Sequence, residues 1–428
     1  MTARAVFFSR RRGACPGLSA PMQTGDGLLV RLQPTGIISL AAFIALCAGA
    51  RRDGNGIVEV TGRSSIQIRG LSVESAPRFA DSVASLAIAA MDGVSVLANP
   101  LAGLDPAEIV DAGALAADIR RTAAGAGLGA RLAPKVSVTV DGGSTLTLDD
   151  VVADVRLRAE CVDGAVGLRV SLGGDGANAT QLGTVAPADG VEAVIRLLEM
   201  IAQHGHAARA RDILATRGTA SLRSAIAGLL TAAALPSTTR EASAVINTYR
   251  LCDGSLACGI GLPFGHADAA ILERLAASAA TAGATGICTA GRALLIVGLA
   301  ERAMPEFVRD AERLGFIVDA GDPRRRVIAC SGAPICASGY VATRALAQAI
   351  ADGAAPSPHG TLIHVSGCAK GCAYSGKATL TVVGTPAGCA LIAAGSVSDA
   401  PFAMVTAEDL PAAVTRYVRD SCREDSHV

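Results

Sequence analysis

From about Asp26 onward, apolar and polar positions alternate or recur at helical spacing, and they predict an α/β chain. GLLVRL alternates as a strand does, and ISLAAFIALCAGA has the length of a helix. GIVEVTGRSSIQIRGL predicts two short strands around a glycine turn, and PRFADSVASLAIAAM predicts the helix that follows. The first structural unit is therefore built as strand, helix and strand.

The middle of the chain continues in the same way. Asp105 is placed to cap a helix that has Pro106 first and runs through AEIVDAGALAADIRRTA. KVSVTVDGGSTLTL predicts a strand, a DGG turn and a second strand, and GLRVSLGG predicts another strand. Three helices are predicted after these strands, in VEAVIRLLEMIAQHG, HAARARDILATRG and SLRSAIAGLLTAAAL.

The pattern restarts after residues 236–243, PSTTREAS, which have the composition of a linker. GICTAGRALLIVGL lies over GIVEVTGRSSIQIRGL when two residues are skipped, which indicates an internal duplication. One such unit cannot close its own sheet edge. We therefore expect the two copies to pair about a pseudo-two-fold axis, with a ligand crevice between them.

The second copy predicts further helices and strands that surround two cysteine motifs. These are a helix in MPEFVRDAERLGF, a helix in YVATRALAQAIADG and a strand in TLIHVSGC. Two strands, ATLTVVG and CALIAAG, and a last helix, AEDLPAAVTRYVRD, complete the chain. The predicted fold class is α/β, a mixed α+β arrangement rather than a doubly wound sheet.

Length and composition set limits on this fold. A chain of 428 residues is expected to form two to four domains or half-domains. The longest apolar stretch, residues 36–50, is shorter than the roughly 20 residues of a membrane span. The N-terminus lacks the order of charge and apolar core of a signal peptide, so we expect a cytoplasmic protein that does not enter a membrane.

Charge and cysteine content narrow the chemistry. The net charge is zero, which gives no support for binding nucleic acid. Twelve cysteines in a reducing compartment are not expected to form disulfides, so they are isolated buried residues or metal ligands. The chain has only three lysines, and two of them, Lys370 and Lys377, flank the last cysteine of the second motif.

The two motifs are ACSGAPICASG and HVSGCAKGCA. Cys330 and Cys336 have C-x5-C spacing, whereas Cys368 and Cys372 have i, i+4 spacing that would place both sulfurs on one side of a helical turn. Four thiolates suit tetrahedral zinc or an iron–sulfur cubane. The wide spacings fit zinc knuckles poorly and favour the cluster. The other eight cysteines are expected to be small buried hydrophobes.

The cysteine motifs, the duplication and NPLAGLDPAEIVD together resemble the nitrite and sulfite reductase family, from about Asp26 to Asp420. The resemblance implies that four cysteines hold a 4Fe-4S cluster and that the last one, Cys372, bridges to sirohaem iron. It also implies two ferredoxin-like half-domains and two domains of the iron–sulfur and sirohaem type. The implied boundaries are an irregular segment 1–24, half-domain 25–76, a haem-type domain 77–235 without cluster cysteines, linker 236–244, half-domain 245–302, cluster domain 303–421 and tail 422–428.

Three passages resemble an oxygen-dependent branch of this family that acts in aerobic cobalamin biosynthesis: RRGACPGLSAPMQTGDGLLVRL, ACSGAPICASG and IHVSGCAKGCAYSGKATLTVVG. The implied reaction is hydroxylation of precorrin-3A at C20 with O2, accompanied by lactone formation from a neighbouring acetate. The resemblance further implies a mononuclear non-haem iron. Sirohaem is a less favoured alternative.

The small-anion site of the reductases is only half present. TGRSSIQ supplies Arg63, with Thr61 and Gln67 in matching places, and LAPKVS supplies Lys135. The second family arginine falls on Val94, and Ser137 stands where a Lys or Asn belongs. Because reduction of nitrite or sulfite needs concentrated positive charge, this loss favours a larger ligand. Arg63 and Lys135 are the candidate catalytic residues.

Sirohaem and precorrins are both rimmed with carboxylates, which arginine binds through two hydrogen bonds. The crevice is therefore expected to present arginines to the substrate. Together with Thr61 and Gln67, the candidate substrate-binding residues are Arg31, Arg63, Arg69, Arg209 and Arg211.

The ligands of the mononuclear iron are not fixed by the sequence. Non-haem oxygenases commonly use two His and one carboxylate, and the chain has six His. His364 is favoured because its strand leads into the second cysteine motif, and His359 and His266 are alternatives. His204, His206 and His427 resemble helix-end or tail residues.

Redox partners and rival functions complete the sequence-based prediction. CGIGLPFG is not a dinucleotide-binding fingerprint, so electrons originating from NADH are expected to arrive through a separate reductase or ferredoxin. Two rival interpretations stay open at this point. One is a sirohaem-dependent nitrite or sulfite reductase, and the other is a non-enzymatic tetrapyrrole carrier or redox-sensing cluster protein.

Overall fold

The computed structural model describes residues 16–231, 244–353, 361–374 and 376–424. These ranges form four five-stranded sheets in two matched halves. The strands of the first half are β1 (Met22–Thr24), β2 (Gly27–Leu32), β3 (Ile38–Ser39), β4 (Ile57–Val60), β5 (Ile66–Leu71), β6 (Ser95–Ala98), β7 (Ser137–Asp141), β8 (Ala153–Val162), β9 (Ala165–Gly174) and β10 (Thr180–Val185). Its helices are α1 (Leu40–Asp53), α2 (Ser75–Ala84), α3 (Ala112–Gly125), α4 (Leu128–Arg131), α5 (Gly190–Gln203) and α6 (Ala210–Ala225).

The second half follows the same order. Its strands are β11 (Thr248–Arg250), β12 (Leu256–Gly261), β13 (His266–Asp268), β14 (Gly286–Ala290), β15 (Ala293–Leu299), β16 (Val327–Ala329), β17 (Ile363–Ser366), β18 (Ala378–Thr385), β19 (Gly388–Gly395) and β20 (Ala403–Val405). Its helices are α7 (Ala269–Thr281), α8 (Met304–Arg313), α9 (Thr343–Asp352) and α10 (Leu410–Glu424).

The two smaller sheets exchange their edge strands. One has the order β1-β2-β5-β4-β13 and the other β11-β12-β15-β14-β3, so each takes its last strand from the opposite half. Ile38 of β3 pairs with Ile287, and Ala267 of β13 pairs with Val58. This reciprocal exchange closes the open edge of each unit, and it confirms the predicted pseudo-two-fold pairing.

Helices α1 and α7 hold the exchanged units together from one side. Each begins at a capped residue, because Ser39 accepts from the N–H of Ala42 and Asp268 accepts from the N–H of Ala270. Their buried faces carry alanines that let the two backbones approach closely. Both helices contribute to one hydrophobic core, together with strands β2, β4, β5, β12, β14 and β15.

The two larger sheets also match. Their orders are β10-β9-β8-β7-β6 and β16-β17-β18-β19-β20. In each, the first three strands along the chain are parallel and the last two are antiparallel. The duplication therefore extends beyond the half-domains to the whole fold, and the mixed α/β class is confirmed.

Several predicted elements differ from the structure. The strand predicted in STLTL is absent: side chains take the place of strand partners there, since Asp105 accepts from the N–H of Thr145 and Asn99 donates to the carbonyl of Leu146. The helix predicted from Asp105 begins later, at Asp111, whose carboxylate accepts from the N–H of Ala114 at 2.8 Å. The side chains of Asn99, Asp105 and Asp111 form hydrogen bonds with backbone groups that would otherwise pair in a strand or in an earlier helical turn.

Other differences concern boundaries. Strand β8 has no counterpart among the predicted elements, although Val155, Leu157 and Ala159 alternate there with charged residues at strand spacing. Within α6, Gly218 has φ 69° and interrupts the helical backbone where one predicted helix ends and the next begins. Met22–Thr24 forms a strand in a segment predicted to be irregular. The predicted linker lies almost wholly outside the described residues, as do His359 and His427.

The structure can be compared with the predictions about membrane spans and isolated cysteines. Within the described ranges, no helix is both long and apolar enough to cross a membrane. Cys47, Cys258, Cys288 and Cys389 are buried as predicted, whereas Cys161 and Cys252 are exposed.

Candidate functional site

The two cysteine motifs lie side by side because β16 and β17 are parallel neighbours. Ala329 pairs with Val365 at the ends of these strands, and each motif begins directly afterwards. The backbone N–H of Gly367 donates to Sγ of Cys330 at 3.1 Å, and the N–H of Tyr340 donates to the carbonyl of Gly367 at 2.8 Å. The structure therefore brings together the two loops that the sequence singled out.

Glycines allow this close approach. A Cβ added to Gly367 would lie 3.2 Å from Cα of Gly332 and 3.3 Å from Cα of Gly339. Gly332 itself has φ 59°, a left-handed conformation that a side chain would strain. The backbones of the two loops consequently cross with hardly any side-chain volume between them.

The other three motif cysteines affect the pKa of Cys372. Burial raises the pKa of the Cys372 thiol, and the negative charges of Cys330, Cys368 and Cys336 raise it further. Lys370, which also donates to Oγ of Ser338 at 2.9 Å, acts in the opposite direction. Several thiolates close together repel one another, and nearby cations and backbone N–H groups offset their negative charge.

The second motif does not form the helical turn that its spacing predicted. Residues 367–373 are turns and bends, and Gly371 has φ 60°. A left-handed residue one position before Cys372 ends any helical path, and a Cβ on Gly371 would lie 2.8 Å from a methyl group of Val397. The prediction of a helical C-x3-C turn was therefore wrong.

The donor set fits an iron–sulfur cluster chemically. Four sulfur donors from two loops are the soft set that such clusters use, and the N–H of Gly367 donates to Sγ of Cys330. As the side chains stand, no group of three or more His, Cys, Asp or Glu within the described ranges is arranged to hold a metal ion. The assignment of the four cysteines as cluster ligands stays a prediction.

A charged network ties the first half to the cysteine loops. Arg344 donates to Oε1 of Glu59 at 2.5 Å, and Ser331, next to Cys330, donates to the same oxygen at 2.9 Å. Arg69 lies 3.8 Å from the other oxygen of Glu59 and is held by Asp26. Sequence reasoning missed Glu59 and Arg344, because they are 285 positions apart along the chain.

Three of the predicted anion-site residues, Thr61, Arg63 and Gln67, lie in the β4–β5 turn or on strand β5, whereas Lys135 lies between α4 and β7. Thr61 accepts from the N–H of Ser65 in the β4–β5 turn, and buried Gln67 pairs in register with Arg31. Nε of Arg31 is buried and has no hydrogen-bond partner in the described structure. Arg63 is exposed and donates to the carbonyl of Val152 at 3.2 Å, and Lys135 is also exposed.

Three of the predicted substrate-binding arginines are placed differently. Arg69 donates two hydrogen bonds to Asp26, and Arg209 donates to both carboxylate oxygens of Asp154. Arg211 is 79% exposed beside Asp212. A guanidinium already held by a protein carboxylate has little left to offer a ligand, so the structure disfavours a substrate role for Arg69 and Arg209.

The structure also bears on the incomplete anion site. Val94 is buried, and Ser137 is buried at the start of β7, so neither supplies the positive charge that the reductase pattern needs. A second arginine enters from elsewhere. Arg292 occupies the β14–β15 turn, and its AGR triplet lies over the TGR triplet of Arg63 in the sequence repeat. That overlay is the signal that could have identified Arg292.

His364, the favoured iron ligand, lies close to that arginine. Burial and, to a lesser extent, the positive charge of Arg292 lower the pKa of His364 to about 4. Its ring makes an edge-to-face contact with Tyr374, with 5.9 Å between centroids. A guanidinium beside the imidazole disfavours a divalent metal ion there, because like charges repel.

Comparison with known proteins assigns the chain to a family. The nitrite/sulfite reductase ferredoxin-like half domain matches residues 20–86. The precorrin-3B synthase of Sinorhizobium sp is 37% identical over 418 residues, which cover 96% of this chain and 89% of that protein. The ferredoxin–nitrite reductase of Synechococcus elongatus is 25% identical over 395 residues, 84% of this chain and 77% of that one.

The fold is likewise shared with a solved structure. The Mycobacterium tuberculosis NirA protein superposes with a TM-score of 0.75 at 20% sequence identity, over 92% of this chain and 80% of that one. The predicted ferredoxin-like half-domains are thereby confirmed. With 37% identity to a relative over nearly its whole length, the chain belongs to the precorrin-3B synthase family of oxidoreductases, within the nitrite and sulfite reductase fold.

Proposed function

We propose that this protein is the monooxygenase that converts precorrin-3A to precorrin-3B in aerobic cobalamin biosynthesis. The observation that carries the proposal is the 37% identity to a precorrin-3B synthase over 96% of the chain. The reaction hydroxylates C20 and closes a γ-lactone from a neighbouring acetate. One atom of O2 enters the substrate and the other leaves as water, which consumes two electrons and two protons.

The proposed cofactor is a 4Fe-4S cluster held by Cys330, Cys336, Cys368 and Cys372. When bound, such a cluster transfers one electron at a time, which the reaction with O2 requires. The protein contributes the surroundings. The N–H of Gly367 and the nearby cations Lys370, Arg69 and Arg344 offset the negative charge of four thiolates.

The substrate is proposed to bind through its carboxylates. Arg63 on the β4–β5 turn and Arg31 on β2 are the candidates, and Lys135 adds a third cation. Thr61 and Gln67 would position the β4–β5 turn. These side chains bind and orient an acidic macrocycle.

Two further components are proposed with less detail. The mononuclear non-haem iron keeps its place in the proposal, with ligands still to be found. The electron donor is proposed to be a separate ferredoxin or NADH-dependent reductase, since the chain carries no dinucleotide-binding fingerprint.

A nitrite or sulfite reductase is the second candidate, because a ferredoxin–nitrite reductase is 25% identical over 84% of the chain. The apolar Val94 and the neutral Ser137 argue against it, since both stand where the reductase pattern has polar or charged residues. Absorption spectra of anaerobically purified protein distinguish the two. Strong sirohaem bands support the reductase, and broad iron–sulfur absorption alone supports the monooxygenase.

The direct test supplies anaerobically purified protein with precorrin-3A, a chemical reductant and 18O2. We expect one 18O atom per product molecule by mass spectrometry, and none when 18O2 is replaced by 16O2 in H2-18O. Tight precorrin binding without any labelled product would instead support the non-enzymatic carrier and exclude the monooxygenase.

A further inference from the structure

The turns that carry Arg63 and Arg292 meet at the pseudo-two-fold axis. Ser64 of the first turn accepts from the N–H of Gly291 at 3.0 Å through its hydroxyl. The carbonyl of Ser64 accepts from the hydroxyl of Thr289 at 2.7 Å. The duplication therefore places two equivalent arginines on adjoining turns, one from each half.

Arg292 is a partly buried cation without a compensating anion in the described part of the chain. It donates one hydrogen bond, from Nη2 to the carbonyl of Ala373 at 2.9 Å, directly beside Cys372. No carboxylate in the described part of the chain lies within ion-pair distance of it. Burial lowers its pKa, which is the expected result of taking a guanidinium out of water without a partner. Such a charge is costly unless an anion joins it.

His364 supplies a second, independent observation. It is 0% exposed, and neither ring nitrogen has a hydrogen-bond partner within the described structure. Neither neighbour on the sheet can pair with the ring. Ile328 is apolar, and the hydroxyl of Thr381 donates to the carbonyl of Gly395. Buried polar groups rarely stay unsatisfied, and those that do point to a missing ligand or water.

We propose that Arg292 and His364 form a carboxylate-binding subsite that takes one acidic side chain of a tetrapyrrole. The proposal rests on the function proposed above and deepens it. The guanidinium offers a planar pair of N–H donors that matches a carboxylate, and the neutral imidazole offers one more. A bound carboxylate would accept a hydrogen bond from the imidazole N–H of His364 and neutralise the charge of Arg292 in one step.

The subsite also explains how the family's anion site can change its ligand. Val94 removes one positive charge that a small oxyanion needs, whereas Arg292 supplies one in a different place, on the turn that adjoins Arg63. Two arginines on adjoining turns can hold separate acidic groups of one large ring. Precorrin-3A and sirohaem both carry such groups, so the test includes both.

The test measures how tightly precorrin-3A binds to the protein with its cofactors in place. Binding is followed by fluorescence quenching under anaerobic conditions. We expect Arg292→Met to weaken precorrin-3A binding by about 10- to 100-fold, and Arg292→Lys to weaken it less, because the charge remains. Arg120→Met is the matched control, since Arg120 is also partly buried and donates to a single carbonyl, that of Val96. Its binding should equal that of the wild type.

Three readouts separate ligand binding from a structural role. The fully methylated ester of precorrin-3A should bind the wild type and Arg292→Met equally, because it offers no carboxylate. Iron and acid-labile sulfide should stay at wild-type levels in Arg292→Met. His364→Phe should weaken binding of the acid but not of the ester. If Arg292→Met fails to fold, the ratio of acid to ester affinity in Arg292→Lys replaces it, and an unchanged ratio refutes the subsite.

The outcomes for the two proposals are distinguishable. Equal binding of precorrin-3A to wild type and Arg292→Met overturns the subsite and leaves the proposed function intact. If the wild type binds sirohaem but not precorrin-3A, and Arg292→Met loses sirohaem, the subsite stands and the proposed function fails.

Discussion

The backbone N–H of Gly367 donates to Sγ of Cys330 across 3.1 Å, and this contact joins the two cysteine motifs. It exists because β16 and β17 are parallel and end together. A thiolate that accepts a backbone N–H is stabilised without a counterion, so the contact suits the role of cluster ligand that is proposed for Cys330.

Removing one motif sulfur is expected to remove the cluster. Cys372→Ser should lower iron and acid-labile sulfide to near zero and abolish turnover, because a hydroxyl is a poor ligand for iron in a cluster. Cys161→Ser, at an exposed cysteine outside the motifs, is the control and should keep full iron content. A cluster-free Cys372→Ser protein that remains active would contradict the assignment.

The contact between the first half and the first cysteine loop can be tested at Gly25. A Cβ at this position would overlap the backbone nitrogen of Ala337, next to Cys336. Gly25→Ala should therefore destabilise the fold by about 1–3 kcal/mol and reduce retained iron, as measured by denaturation and metal analysis. At Gly36 a Cβ meets nothing within 4 Å, so Gly36→Ala should leave both measurements unchanged.

Glu59 is expected to be essential to the network beside the cysteines. Glu59→Gln removes the charge that Arg344 and Arg69 share, and their side chains are only 15% and 9% exposed. We expect a loss of about 2–3 kcal/mol in the free energy of unfolding, and a shift in the reduction potential of the bound cluster.

The control for Glu59 is Glu273→Gln, which breaks a pair with Arg51 that is half exposed. That change should cost about 0–1 kcal/mol and leave the potential unaltered. Equal losses in the two variants would show that the network beside the cysteines contributes no more than a surface ion pair.

Acid is expected to destabilise the fold through His266. Burial and, to a lesser extent, the positive charge of Arg344 lower its pKa from 6.5 to about 3. Below about pH 6.5 the unfolded chain therefore binds a proton that the folded protein cannot, and stability falls as the pH decreases toward 3. The slope from this one group is at most about 1.4 kcal/mol per pH unit.

The measurement compares urea denaturation at pH 7, 6, 5 and 4. His266→Gln should show a shallower loss of stability than the wild type over this range, whatever its stability at pH 7. The exposed His206→Gln should follow the wild-type slope. Parallel slopes for all three proteins would exclude His266 as the source.

The sequence by itself determined the class of the fold, the duplication and the four cysteines worth examining. Each of these is a local property: hydrophobic periodicity predicts α1 or β2, and the spacing of two cysteines is fixed by the few residues between them. One local prediction was nevertheless wrong. The strand expected in STLTL does not form, because the side chains of Asn99 and Asp105 take the hydrogen bonds that a strand partner would make.

Only the tertiary structure decided which distant residues meet. The strand exchange, the pairing of Glu59 with Arg344 and the position of Arg292 beside the turn of Arg63 join residues more than 200 positions apart. No local pattern encodes such contacts, because they are selected by the packing of the whole core and by the burial of charge that follows from it.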